Sequence, residues 1–173
     1  YLMARAAKMA GTPAIRTSSI RDVVAIKEET GLPVIGLVKI QYPGYESYIT
    51  PTMKEVDDLV AAGSDVVALD CTLRKRGDGT TINEFIAAIR AKYPDIILMA
   101  DISNYEEGIN AWKCGVDIVG TTMSGYTDYT SKKDEPDYEL MRRLAEDTDI
   151  PVIGEGKIHY PDQAVKALQT GAW

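Results

Sequence analysis

Residues 65–70 read Asp-Val-Val-Ala-Leu-Asp. Four apolar residues follow one another without a polar interruption, and a carboxylate closes the run. A strand covered on both faces reads this way, as in parallel sheets, whereas a strand with one wet face alternates. The same reading applies at 13–16, 33–39, 96–101, 117–122 and 151–155, all rich in Val and Ile. Each of the six stretches also ends on a polar group. In order these are Arg16, Lys39, Asp70, Asp101, Thr121–Thr122 and Glu155.

Amphipathic helical stretches fill the gaps. In 52–62, Met53, Val56, Leu59 and Val60 share one face, and Thr52 with Glu55 forms a capping box. Thr81 with Glu84 repeats the device, and Ser103 with Glu106 is expected to repeat it again. Residues 1–10 read as an outer helix packed by Leu2, Ala6 and Met9. Glycines 11, 31, 63, 115 and 171 follow helices, where left-handed caps are expected. Pro161 sits near the start of the last helix, which tolerates proline. Strand–helix alternation without a low-complexity linker makes the class α/β.

The chain has 173 residues, 45% of them hydrophobic and 26% charged, so one globular domain over 1–173 is expected. A net charge of −7 disfavours a nucleic-acid surface. Cys71 and Cys114 offer no metal spacing and no disulfide framework. The single histidine, His159, which reads as structural like Trp112, argues against a His-based metal site or a Ser–His–Asp triad. No apolar run is long enough to span a membrane, and a reduced, cytoplasmic setting is expected. The sequence opens on what reads as a helix and closes just after one. One strand is therefore expected before residue 1 and another after residue 173. That raises six strands to the eight of a (β/α)8 TIM barrel, of which 1–173 would be an incomplete domain. Polar residues at the ends of all strands support the barrel over an open sheet, where functional groups gather at one switch point.

Chemistry must then run on Lys, Arg, Asp and Glu. Lys39 closes an apolar strand and reads as a general base or a Schiff-base amine; the competing reading is a snorkelling rim lysine. Glu155 closes another strand; it reads as Lys39's partner from the opposite wall, or as a cap. Asp70 and Asp101 read as acceptors for substrate hydroxyls or as helix caps. Arg16 suits an anion or a developing oxyanion. Residues 72–80 read as a solvated basic loop, and 123–135 as a candidate lid.

Several of these stretches resemble the N-acetylmannosamine-6-phosphate 2-epimerases: 14–16, 33–39, 48–52, 68–72, 98–103, 121–127 and 154–156. The segments Met99-Ala100-Asp101-Ile102-Ser103 and Thr121-Thr122-Met123-Ser124-Gly125-Tyr126-Thr127 are the most specific of them. The resemblance implies a barrel isomerase of bacterial sialic acid catabolism without metal or organic cofactor. Its partner would be a small phosphosugar, and a homodimer is compatible with it. It implies Lys39 and Glu155 as catalytic residues, with Arg16, Asp70, Asp101, Thr122 and Gly156 binding substrate. Gly77 and Gly154 stand where the family usually has proline and alanine. The family's first strand, with its glutamine, and its last, with a phosphate motif, have no counterpart. The alternatives are a Schiff-base lyase using Lys39, or an inactive fragment.

Overall fold

A computed structural model describes residues 1–173 as parallel strands alternating with helices. The chain divides into two compact units, one formed by 1–70 with 74–98 and the other by 71–73 with 99–173.

The first unit holds α1 (Leu2–Met9), β1 (Ile15–Ser18), α2 (Ile20–Thr30), β2 (Val34–Leu37), α3 (Met53–Ala61), β3 (Val66–Asp70), α4 (Ile82–Lys92) and the start of β4 (Ile97–Asp101). The pairs β1–β2 and β2–β3 are parallel, and β3 is buried throughout. The strand begins two residues later than expected in β1. Pro13 has no N–H to give, and the ladder starts where the Ile15 N–H reaches the Pro33 carbonyl. Arg16 therefore lies inside β1, opposite Ile35, and Ser18 ends the strand.

Helix α1 turns the other way from the expectation. Ala4 is its buried residue, while Leu2, Met3, Ala6 and Met9 are exposed. It is tied to α2 by polar contacts: Arg5 pairs with Glu29 at 2.7 Å, and the Lys8 amine donates to the Thr30 carbonyl. The capping boxes Thr52–Glu55 and Thr81–Glu84 both form. Glycines 11, 31, 63, 115 and 171 all have positive φ, as their places after helices require.

The basic stretch 72–80 is not simply solvated. Arg76 is buried, its guanidinium lies 4.0 Å over the Phe85 ring, and it donates to the Pro51 carbonyl. A cation stacked on an aromatic face and bonded to a carbonyl has replaced its water.

The second unit holds the end of β4, then α5 (Tyr105–Lys113), β5 (Ile118–Gly120), α6 (Tyr138–Asp147), β6 (Val152–Ile153) and α7 (Pro161–Leu168). The pairs β4–β5 and β5–β6 are parallel. Met99, Ala100, Val119 and Val152 on or beside the strands and Ala111, Met141 and Leu144 on the helices are all buried. Proline occupies the first turn of α7, as expected. Within each unit the strand order is sequential, β1–β2–β3 in the first and β4–β5–β6 in the second.

The expected Ser103–Glu106 box is displaced by one residue. Asn104 is the N-cap of α5 and accepts from the Glu107 N–H, while Glu107 reaches back to the Ser103 N–H and hydroxyl. Burial decides the register, because Glu107 is fully buried and Glu106 is exposed.

Strand β6 is shorter than expected because its neighbours leave the β5 ladder. The Gly154 N–H donates to the Trp173 carbonyl, and the Trp173 N–H donates to Val152. The Glu155 N–H turns to a side chain, the Thr121 hydroxyl.

Candidate active site

In the first unit, the chain leaving β2 doubles back on itself. Thr50 donates its N–H to the Val38 carbonyl, Ile40 donates to Tyr48, and Lys39 faces Ile49 in an isolated antiparallel bridge. The Asp70 N–H then donates to the Ile49 carbonyl at 2.9 Å. Lys39 and Asp70 thus flank one short return segment. Thr50, at φ +47°, makes the bend, and its hydroxyl donates to the Ala68 carbonyl. The Lys39 side chain is exposed, so the cost of burying an amine does not arise there.

Asp70 is engaged differently from the expected hydroxyl acceptor. Its side chain is wholly buried, and Oδ2 takes the Arg74 guanidinium at 2.6 Å and the Tyr48 N–H at 3.3 Å. Arg74 also lies 5.6 Å over the Tyr48 ring. Arg16 is half-buried on β1.

In the second unit three sequence-expected residues meet. The Thr122 hydroxyl lies 2.6 Å from Asp101 Oδ1 and 3.1 Å from Glu155 Oε2. Asp101 is fully buried at the end of β4; Thr122 and Glu155 are half-buried beyond β5 and β6. Thr121, buried, holds the Glu155 main chain at both ends. Its hydroxyl donates to the Glu155 carbonyl at 2.9 Å and accepts the Glu155 N–H at 3.1 Å. Gly120 leaves the room this needs. A Cβ there would stand 3.1 Å from Thr122 Oγ1, 3.4 Å from Asp101 Oδ1 and 2.4 Å from the Met99 methyl. Gly156 follows at φ +99°, and Lys157 at φ +59°.

The loop 123–135 is held rather than loose. The Tyr129 hydroxyl donates to buried Glu107 Oε1, which also accepts the Leu73 N–H. Burial, with the Glu107 carboxylate beside it, pushes the Tyr129 phenol up to about 12. Farther along, burial opposes ionisation of Asp137, but the Lys133 ammonium and the Ser124 hydroxyl outweigh it and hold the carboxyl below its usual range. The Lys157 amine sits 5.1 Å from the centre of the Tyr126 ring.

Thr121, Arg74, Tyr48 and Glu107 escape a sequence reading. The one signal for Thr121 is the pair of threonines at a strand end, of which only the second reads as functional. A cavity of about 290 Å3 at the starts of α5 and α6 includes none of the strand-end residues, and both its Lys133 and its Ser124 donate to its Asp137. No group of three or more His, Cys, Asp or Glu side chains is placed to hold a metal ion. No helix is long and apolar enough to cross a membrane.

The NanE family model, described as "Putative N-acetylmannosamine-6-phosphate epimerase", matches residues 1–173. A protein of Caldanaerobacter subterraneus subsp. tengcongensis, named "Putative N-acetylmannosamine-6-phosphate 2-epimerase", is 53% identical over 99% of this chain and 72% of its own length. One of the same name from Clostridium perfringens is 49% identical over 99% of this chain and 76% of its own length. The solved structure of the N-acetylmannosamine-6-phosphate 2-epimerase from Clostridium perfringens superposes with a TM-score of 0.94 at 47% identity, covering 99% of this chain and 74% of that one. Thiamine phosphate pyrophosphorylase from Pyrococcus furiosus, at 20% identity and a TM-score of 0.64 over 98% of this chain and 74% of its own, shares the fold alone.

Proposed function

The chain belongs to the N-acetylmannosamine-6-phosphate epimerase family, a TIM-barrel family, and from that premise we propose that it interconverts N-acetylmannosamine 6-phosphate and N-acetylglucosamine 6-phosphate. The observation that carries this reading is the family match along all of residues 1–173. We place the reaction in amino-sugar catabolism, including that of sialic acid, and in the cytoplasm.

The chemistry asks little beyond acids and bases. In the open-chain sugar the C2 hydrogen is next to the C1 aldehyde, so its removal gives an enolate, and return of a proton to the other face inverts C2. In our reading Lys39 Nζ takes or returns that proton, and Glu155 is either the second base or the group that orients and polarises Lys39. Its place on the return segment supports this, because both its backbone neighbours are pinned while the amine reaches solvent. The two threonines that hold the Glu155 main chain and carboxylate support its role beside Lys39. Arg16 suits the enolate oxygen or the phosphate, and Asp101 accepts from a sugar hydroxyl. Gly156, in the left-handed region, gives a phosphate close access to backbone N–H groups. Asp70 acts at one remove by holding Arg74.

The test is to incubate the protein with N-acetylmannosamine 6-phosphate in heavy water and follow both sugars by NMR. Product carrying deuterium at C2 is expected. No interconversion would refute the reading, and a borohydride-trapped adduct on Lys39 would turn it towards a Schiff-base lyase.

A further inference from the structure

The last residues that β2 and β3 pair with each other are Gly36 and Val67. Beyond them the return segment 48–50 is bonded to both chains. On one side Thr50 takes both main-chain groups of Val38. Its hydroxyl accepts the Val38 N–H at 3.3 Å, and its N–H donates to the Val38 carbonyl at 2.7 Å. On the other side the same hydroxyl donates to the Ala68 carbonyl at 2.7 Å. The Ile40 N–H donates to the Tyr48 carbonyl, so Lys39 is held through both of its neighbours. Thr50 does this from an unfavourable backbone. Its φ is +47°, a left-handed conformation in which a β-branched residue is an outlier, and Pro51 pushes the residue before it towards extended φ. Glycine would take that φ freely but has no hydroxyl.

A strained residue persists only where its surroundings over-determine it. Here they do. Thr50 is wholly buried, its hydroxyl and its N–H are both engaged, and the next carbonyl, that of Pro51, accepts from buried Arg76. Resting on the reading of Lys39 as a base, we infer that Thr50 is a positioning residue for Lys39. Its left-handed backbone and its buried hydroxyl together set where the Lys39 main chain stands relative to β3. Thr50 takes no part in the proton transfer itself. The Lys39 side chain is exposed, so core packing does not aim it, and the amine is only as well placed as the main chain that carries it. An error of about 1 Å in the place of a reacting group costs about 10²-fold in rate, which is what the clamp guards against. Lys39 needs a fixed main chain more than a buried side chain would, and the strain at Thr50 is the sign that the fold holds it.

The experiment measures epimerisation kinetics and unfolding for Thr50→Gly, Thr50→Ser and the parent, all in the full chain. Thr50→Gly should lose about 10–100-fold in kcat, with KM unchanged within about twofold. Its unfolding midpoint should stay near that of the parent, because relief of the left-handed strain offsets the lost hydroxyl bonds. Thr50→Ser, which keeps the hydroxyl, should restore most of kcat. Added to Lys39→Met, Thr50→Gly should lower the residual turnover no further, because its effect runs through Lys39. If Thr50→Gly has full kcat while Lys39→Met is inactive, the inference fails and the role of Lys39 stands. If Thr50→Gly raises KM at unchanged kcat, Thr50 shapes substrate binding and the inference is wrong. If Thr50→Ser is as slow as Thr50→Gly, the hydroxyl is not the means and the inference is again wrong. If Lys39→Met itself is fully active, the underlying reading fails. Should Thr50→Gly not fold, Thr50→Ala against Thr50→Ser carries the same comparison.

Discussion

Asp70 and Asp101 close β3 and β4 in the same way in sequence, each after an apolar run, and both are buried. Their surroundings differ. Asp70 meets a guanidinium 2.6 Å away, itself stacked on an aromatic ring, and a backbone N–H. Asp101 has among its partners a neutral hydroxyl that also touches a second carboxylate. A buried carboxylate matched by a fixed cation is settled, and moving a proton onto or off it would cost the pair. Asp101 instead shares a hydroxyl with Glu155, which ties it to a residue read as catalytic. Position at a strand end therefore does not tell structure from chemistry, but the partner does.

The comparison can be broken in several places. Lys39 is the outer reference. Lys39→Met should reduce turnover by about 10²–10⁴-fold or more while sparing substrate binding, since its exposed side chain carries no core packing. Steady-state kinetics with a binding titration checks both halves. Next comes Asp70. Asp70→Ala should destabilise by about 3 kcal/mol by leaving the Arg74 guanidinium, only 13% exposed, without its carboxylate. Denaturant unfolding measures this, and Asp70→Ala with Arg74→Met should recover part of the loss. Asp101→Asn should do the reverse, with a melting temperature near that of the parent and kcat lower by about 10²-fold. A large stability loss in Asp101→Asn with normal kcat would erase the contrast between the two aspartates.

The smallest effect concerns Tyr129. Its phenol is raised in the folded protein to about 12, above the ordinary tyrosine value of about 10. The sign follows from linkage. The folded protein keeps that proton longer than the unfolded chain, so the contribution is full below pH 10 and is lost as pH rises towards 12. Tyr129→Phe should remove this alkaline loss and lower stability at neutral pH, because buried Glu107 loses a donor. Unfolding midpoints across that pH range are the readout.

Much of the architecture is legible in the sequence because it rests on local rules. Unbroken apolar runs give parallel strands, Thr–Glu pairs three apart give capping boxes, and glycines after helices take positive φ. What is not legible depends on partners brought from afar. The quartets 103–106 and 104–107 both offer a cap, and only the burial of Glu107 selects the second. Arg76 reads as a loop cation until Phe85 and Pro51 arrive to cover it. In α1 the longer apolar residues suggest an inward face, yet the helix sets small Ala4 inward and meets α2 through Arg5 and Lys8. At the candidate site the residue types at the strand ends are legible. That Thr122 stands between two acids, and that Asp70 is matched by Arg74, depends on side-chain geometry that no spacing encodes.

Glu107 ties together positions 73, 103 and 129, the first of them 34 residues away along the chain. During folding, helix α5 can form early from local contacts, but its buried carboxylate would then face an apolar surface with most of its donors missing. Leu73 and Tyr129 arrive only when distant loops close, and closing them carries an entropy that local contacts do not repay. A half-assembled second unit is therefore penalised by one unsatisfied acid, and its stretches should fold and unfold together. Glu107→Gln, which keeps the shape but weakens every bond, should uncouple them, so that hydrogen exchange around 123–135 outpaces that of the strands.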